Sequence, residues 1–271
     1  MDEKMILIGG GVGPMAGVEL HRKIIEHTAT DGTDQDHLEV LHLSRSPIIG
    51  DRTDFLAGKK TADPGAGMLK VFRLAAAGLR AEGRRAVAGI PCNTFHAPPI
   101  FEPFRARVQE EELPIELLHM LEETADSIRS TLPRSRKVGL LSTSGTRKSG
   151  VYQEIFSNYD IRIISIPEAE QSELHEAIYH RSWGLKAVSP PDKKAVERVQ
   201  SFCRRLVDDG AEAVILGCTE LPLAVQEGTY NGIPYIDPMT ALARALIREV
   251  APGKLKSPGT DSKEGEPPEE E

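Results

Sequence analysis

Two of the three cysteines in this 271-residue chain stand in matching settings. Cys92 follows the apolar run 86–90 and precedes Asn93-Thr94, while Cys218 follows the run 213–216 and precedes Thr219-Glu220. A glycine that ends a helical pattern, Gly83 or Gly210, lies nine or eight residues upstream of each. Each thiol is therefore expected at the C-terminal end of a parallel strand and just before a helix, where open α/β folds bind ligands. A helix N-terminus lowers a thiol pKa from about 8.5 towards neutrality. It also holds anions, so a carboxylate could rest on the amides around Asn93, Thr94 and Thr219. Two thiols facing one α-carbon suit removal of its proton from one side and return of a proton to the other. Cys203 differs: it sits in a helical pattern whose Val196, Val199, Phe202 and Leu206 face inward, and it reads as core.

A carbanion formed between the thiols needs donors preorganised around the substrate carboxylate. The loops Gly9-Gly10-Gly11 and Ser142-Thr143-Ser144-Gly145-Thr146 offer backbone amides and hydroxyls for that purpose. Each follows a buried strand, 5–8 and 138–141, and precedes a helix. In the first helix Val18, Leu20, Ile24 and Ile25 are expected on the inner face. A shift of 133 residues aligns Ile8 with Leu141, Gly17 with Gly150 and Val18 with Val151, so one supersecondary unit occurs twice. Alternation of short apolar runs with helical patterns predicts βαβ units and mainly parallel sheets.

Composition narrows the function classes. With 33 basic and 41 acidic residues the net charge is −8, and aromatic residues make up 5%. That is unlike the basic, aromatic-rich surface of a nucleic-acid binder. No apolar run approaches the roughly 20 residues of a membrane span. An odd number of thiols without a secretory leader points to the cytoplasm. The segment 252–271, with four prolines, three glycines and nine charged residues, is expected to be disordered. No G-x-G-x-x-G, P-loop lysine, CxxC or HExxH is present, which argues against a dinucleotide or metal site. His96, four residues past Cys92, reads as a supporting group, with orientation of Cys92 as its functional alternative.

The motifs jointly resemble the aspartate/glutamate racemase superfamily, and its aspartate branch in particular. Gly9-Gly10-Gly11-Val12-Gly13-Pro14, Gln35-Asp36-His37, Asp51-Arg52-Thr53, Cys92-Asn93-Thr94-Phe95-His96, Ser142-Thr143-Ser144-Gly145-Thr146, Gly217-Cys218-Thr219-Glu220 and Ile236-Asp237-Pro238 carry the likeness. Gly9-Gly10 stands where the glutamate branch has Asp-Ser. The chain departs from the family at Val12, Gly17 and Phe95; Phe95 could reshape the pocket or fill core, and Trp183 could cover substrate or cap a lobe.

The resemblance implies two pseudo-symmetric Rossmann-like lobes with the active site between them. The expected lobes are residues 1–112 plus about 238–251, and 113–237, the final helix returning to the first. It further implies cofactor-independent racemisation of an amino acid, aspartate first, by Cys92 and Cys218. The substrate-side residues would be Gly10, Gly11, Arg52, Asn93, Thr94, Ser142, Thr143, Gly145, Thr146, Lys186, Thr219 and Glu220. Arg52 and Lys186 would hold the distal carboxylate. The family often forms homodimers. The alternatives are glutamate or a broader amino-acid set, a related isomerase or decarboxylase, an amino-acid-sensing module that does not turn over, and a thiol redox sensor.

Overall fold

The first apolar run, in β1 (Lys4–Gly10), divides its side chains between two faces as strand geometry requires: Met5 and Leu7 enter one core, Ile6 and Ile8 another. The computed structural model describes residues 4–230 and 232–257. After β1 come α1 (Pro14–His27), β2 (Val40–Ser44), α2 (Arg52–Leu56), α3 (Pro64–Ala81), β3 (Arg85–Gly89), α4 (Pro98–Glu110), β4 (Ile115–Leu117) and α5 (Met120–Thr131). The second half runs through β5 (Lys137–Ser142), α6 (Ser144–Ser149), α7 (Val151–Ser157), β6 (Arg162–Ser165), α8 (Gln171–Tyr179) and α9 (Lys193–Asp208). It continues with β7 (Ala213–Gly217), β8 (Gly228–Tyr230), β9 (Ile233–Ile236) and α10 (Pro238–Val250).

The strands form two sheets, ordered β2-β1-β3-β4 and β6-β5-β7-β9-β8. All their pairings are parallel except β8 with β9. The central order, second strand–first–third, is the same in both, as the internal repeat predicts. The molecule is thus an α/β fold of two lobes with mainly parallel sheets. Asp63 before α3 and Asp192 before α9 accept backbone N–H bonds from the first turns they cap. Gly83 and Gly210, at φ +65° and +85°, take the left-handed turn that lets the chain leave each helix for β3 and β7.

One apolar cluster joins the sheets: Ile6, Ile8 and Val87 of the first meet Val138, Leu140 and Ile215 of the second around α5, α7 and α10. α10 packs on the first sheet, and a Cβ on Gly89 would touch Leu242 and Leu246. Among the described residues no helix is long and apolar enough to cross a membrane.

Three expectations need correction. Val18 and Ile25 are not inward: they are 50% and 47% exposed, and the buried face of α1 is Ala16, Gly17, Leu20, Lys23 and Ile24. Lys23 is buried because its ammonium meets Asp237 at 3.1 Å and donates to Thr240 Oγ1 at 2.8 Å. The lobe boundary after residue 112 is overtaken by β4, which pairs with β3 in the first sheet. The tail expected from residue 252 is ordered at its start: Pro252–Lys254 forms a 3-10 turn, Lys254 pairs with Asp36, and Leu255 bridges Thr28. Residues 258–271, the rest of that segment, lie outside the described residues.

Candidate active site

Each thiol emerges just past a strand end, Cys92 after β3 and Cys218 directly after β7, and both line one cleft. Val12, Arg52, Thr53, Asn93, Thr94, Thr143, Tyr179, Lys186, Gly217, Thr219 and Glu220 complete its walls. Asn93–His96 forms a 3-10 turn that leads into α4. The segment after Cys218 makes only the short 3-10 turn Leu221–Leu223. No α-helix N-terminus therefore acts on Cys218, contrary to the expectation.

Its surroundings act in the opposite sense. Burial and the neighbouring Glu220 carboxylate push the Cys218 thiol well above its ordinary pKa. The thiol donates to Glu220 Oε2 at 3.0 Å, an oxygen that also accepts from Thr219 Oγ1 at 3.0 Å. Glu220 Oε1 pairs with Lys186 Nζ at 2.5 Å. Burial alone would raise the Glu220 pKa, but the Lys186 charge and the three donors hold it below the usual value. Burial likewise opposes the Lys186 charge, and Cys218, Glu220 and Tyr179 outweigh it. At neutral pH this side of the cleft holds a thiol, a carboxylate and an ammonium.

The Cys92 side is built around Arg52, the first residue of α2, whose cap Asp51 accepts from Asp54 N–H at 2.8 Å. Arg52 donates to the carbonyls of Val12 at 2.8 Å and Gly50 at 3.2 Å. Its Nε is buried without an acceptor among the described residues. Burial disfavours the guanidinium charge, but Cys92, Asp51 and Tyr179 nearby raise its pKa overall. A cation with one free N–H beside a thiol can hold a carboxylate or steady a thiolate.

Gly10, Gly11, Ser142, Gly145 and Thr146 are not among the residues lining the cleft. Gly10 lies against His42, and Gly11 against the main chain of Arg45 and Ser46. The Ser142 carbonyl accepts from Gln171 Nε2 at 3.0 Å, and Gly145 packs on Thr53. Thr146 stands behind Thr94, sharing a hydroxyl–hydroxyl hydrogen bond of 2.8 Å. These groups shape the walls from behind. Phe95 is wholly buried edge-on to Phe104 and fills core. Trp183 stacks on His180 under the Lys194 ammonium and also stays out of the cleft.

Tyr179 belongs to the cleft and stood in no motif. Burial raises its pKa, followed by the influence of Cys218, and Cys92 acts in the same direction, so the phenol senses both thiols. Lys186 Nζ sits 5.2 Å from its ring centre. His96 is buried, with Nδ1 2.9 Å from the Cys92 carbonyl and Nε2 accepting from Met120 N–H at 3.3 Å. Burial, and after it His119, depresses its pKa far below the usual value, so the ring is neutral. A wider cavity elsewhere has a single cysteine in its lining, Cys203, whose thiol burial pushes up to about 12; Arg204 stands there too, but the second thiol is missing. Among the described residues no three His, Cys, Asp or Glu side chains are grouped as a metal ligand set.

A model of the Asp/Glu/Hydantoin racemase family matches residues 10–246, and the chain belongs to that family. The solved aspartate racemase of Picrophilus torridus is 28% identical, with a TM-score of 0.72 over 94% of this chain and 96% of that one. An aspartate racemase homologue from Pyrococcus horikoshii OT3 shares the fold at 23% identity and TM-score 0.65, over 92% and 99% of the two chains. The glutamate racemase of Carboxydothermus hydrogenoformans is 28% identical over 170 residues, 60% of this chain and 56% of that relative's length. The match thus spans little more than half of that curated relative.

Proposed function

We propose that this member of the racemase family inverts the α-carbon of aspartate, without a cofactor, by proton transfer between Cys92 and Cys218. The observation that carries the reading is that two thiols from equivalent strand ends of a duplicated unit line a single cleft with two cations. The substrate's α-carboxylate rests among Asn93, Thr94, Thr143 and Thr219, and its distal carboxylate meets Arg52 and Lys186. The Cys92 thiolate takes the α-proton, and the C–H electron pair spreads into the carboxylate as a planar enediolate. The Cys218 thiol, held protonated by Glu220, delivers its proton to the opposite face. Inversion leaves Cys92 as thiol and Cys218 as thiolate, the state that accepts the other enantiomer. Lys186 balances the charge left on that side.

Aspartate is favoured over glutamate by Gly9-Gly10 in the first loop and by likeness to the Picrophilus torridus aspartate racemase over nearly the whole chain. The reading includes a cytoplasmic setting, consistent with three free thiols, and a homodimer, which rests on the family resemblance alone.

The test is α-proton exchange in deuterated water across a panel of L- and D-amino acids, with no pyridoxal phosphate or metal added. Aspartate should incorporate deuterium and lose optical activity at the highest rate. Faster exchange of glutamate would transfer the substrate assignment to it. Aspartate binding with no exchange of any amino acid would leave an amino-acid-sensing module.

A further inference from the structure

Asn93 reaches the cleft immediately after Cys92, yet its carbonyl oxygen is claimed from the other half of the chain. Tyr152, in the first turn of α7 and wholly buried, donates its hydroxyl to Asn93 Oδ1 at 2.5 Å. Burial, then Asp237 and Cys218, raises the Tyr152 pKa well above the ordinary phenol, so the hydroxyl keeps its proton. A reversed amide would aim N–H groups at that hydroxyl and leave the phenolic proton buried without an acceptor, which is costly. The hydroxyl thus selects one amide orientation. In that orientation Asn93 Nδ2 donates to no protein acceptor among the described residues, and Asn93 lines the cleft. The next residue is tied across in the same way, through the Thr94–Thr146 hydroxyl pair.

We propose that Tyr152 is a positioning residue: by holding Asn93 Oδ1 from the second lobe, it presents the Asn93 amide hydrogens to a substrate carboxylate beside Cys92. The role rests on the racemase reading of the cleft. Tyr152 itself never meets the reacting atoms.

Tyr152→Phe deletes one buried oxygen and keeps the ring. The measurement is the succinate concentration that half-protects Cys92 from iodoacetamide, read on the tryptic peptide carrying Cys92, together with KM and kcat for aspartate. Tyr152→Phe should raise half-protection and KM about fivefold, with kcat within twofold. In an Asn93→Ala background the same change should have no further effect on either. Unaltered values in the single variant, an undiminished shift in the Asn93→Ala background, or no succinate protection of the wild type would each overturn the role. Should Tyr152→Phe fold poorly, Asn93→Asp serves instead. It can still accept from Tyr152 but turns a carboxylate oxygen to the cleft, so it must weaken protection more than Asn93→Ala; wild-type protection would refute the assignment. Protection that follows this cycle without exchange of any amino acid sinks the racemase reading and leaves the positioning role. Exchange with a flat cycle does the reverse.

Discussion

Cys218 donates its thiol proton to Glu220 at 3.0 Å, and the same carboxylate holds Lys186 at 2.5 Å. The two cysteines are therefore unequal although the strands that carry them are equivalent: Cys218 has an adjacent carboxylate, whereas Cys92 has the Arg52 guanidinium. Glu220→Gln removes a negative charge next to Cys218, so the Cys218 pKa should fall. Cys218 should be alkylated faster at pH 8 than in the wild type, and the alkaline limb of the racemisation profile should move to lower pH. With the carboxylate gone, kcat should drop by about 10²-fold.

Cys92→Ala and Cys218→Ala should each lower racemisation by at least about 10³-fold. A single remaining thiol still suffices to abstract the α-proton of one enantiomer. Each variant should therefore eliminate chloride from one enantiomer of a β-chloro amino acid, and the two variants should choose opposite enantiomers. Chiral chromatography of the remaining substrate distinguishes them. Cys203→Ala should racemise like the wild type, since that thiol is core.

Arg52 holds two backbone carbonyls and leaves Nε free, an arrangement lysine cannot reproduce. Arg52→Lys should raise the KM for aspartate about tenfold, and monocarboxylic amino acids should bind almost equally to both forms. Initial rates against substrate concentration supply the comparison. An unchanged KM would remove Arg52 from the substrate site.

His119, beside His96 under the Cys92 turn, has its pKa pushed down to about 4 by burial. In the unfolded chain it titrates near its ordinary 6.5. Between those values the unfolded chain binds the extra proton, so the stability is present above about pH 6.5 and is lost as pH falls towards 4. The full effect is on the order of 3 kcal/mol. His119→Gln should narrow the difference between Tm at pH 7.5 and at pH 5. An equal difference in wild type and variant would place the acid sensitivity elsewhere.

The thiol pair was legible because strand ends and helix-ending glycines recur along the chain, and a register of short motifs survives without coordinates. Tyr179 was not, because it enters the cleft from the C-terminal end of α8 through tertiary packing alone. The glycines at 10 and 11 were expected in a carboxylate cradle, but they are not among the residues lining the cleft. Their missing side chains make room for His42 of the neighbouring strand β2 and for the main chain of Arg45 and Ser46 just beyond it. Val18 and Ile25 suggested the wrong face of α1 because the buried Lys23 is tolerated only through Asp237 and Thr240, over 200 residues away. The three residues of β4 were too short a run to stand out from the loop around them.

The placement of α10 bears on how the protein is made. Leu242 and Leu246 roof the same apolar layer as Ile6, Ile8 and Val87, yet roughly 150 residues separate Val87 from Leu242. At ribosomal speeds of about 5–20 residues per second, that layer stays uncovered for on the order of ten seconds. The nascent N-terminal half must wait, half-dressed and open to chaperones, for one of the last helices to emerge.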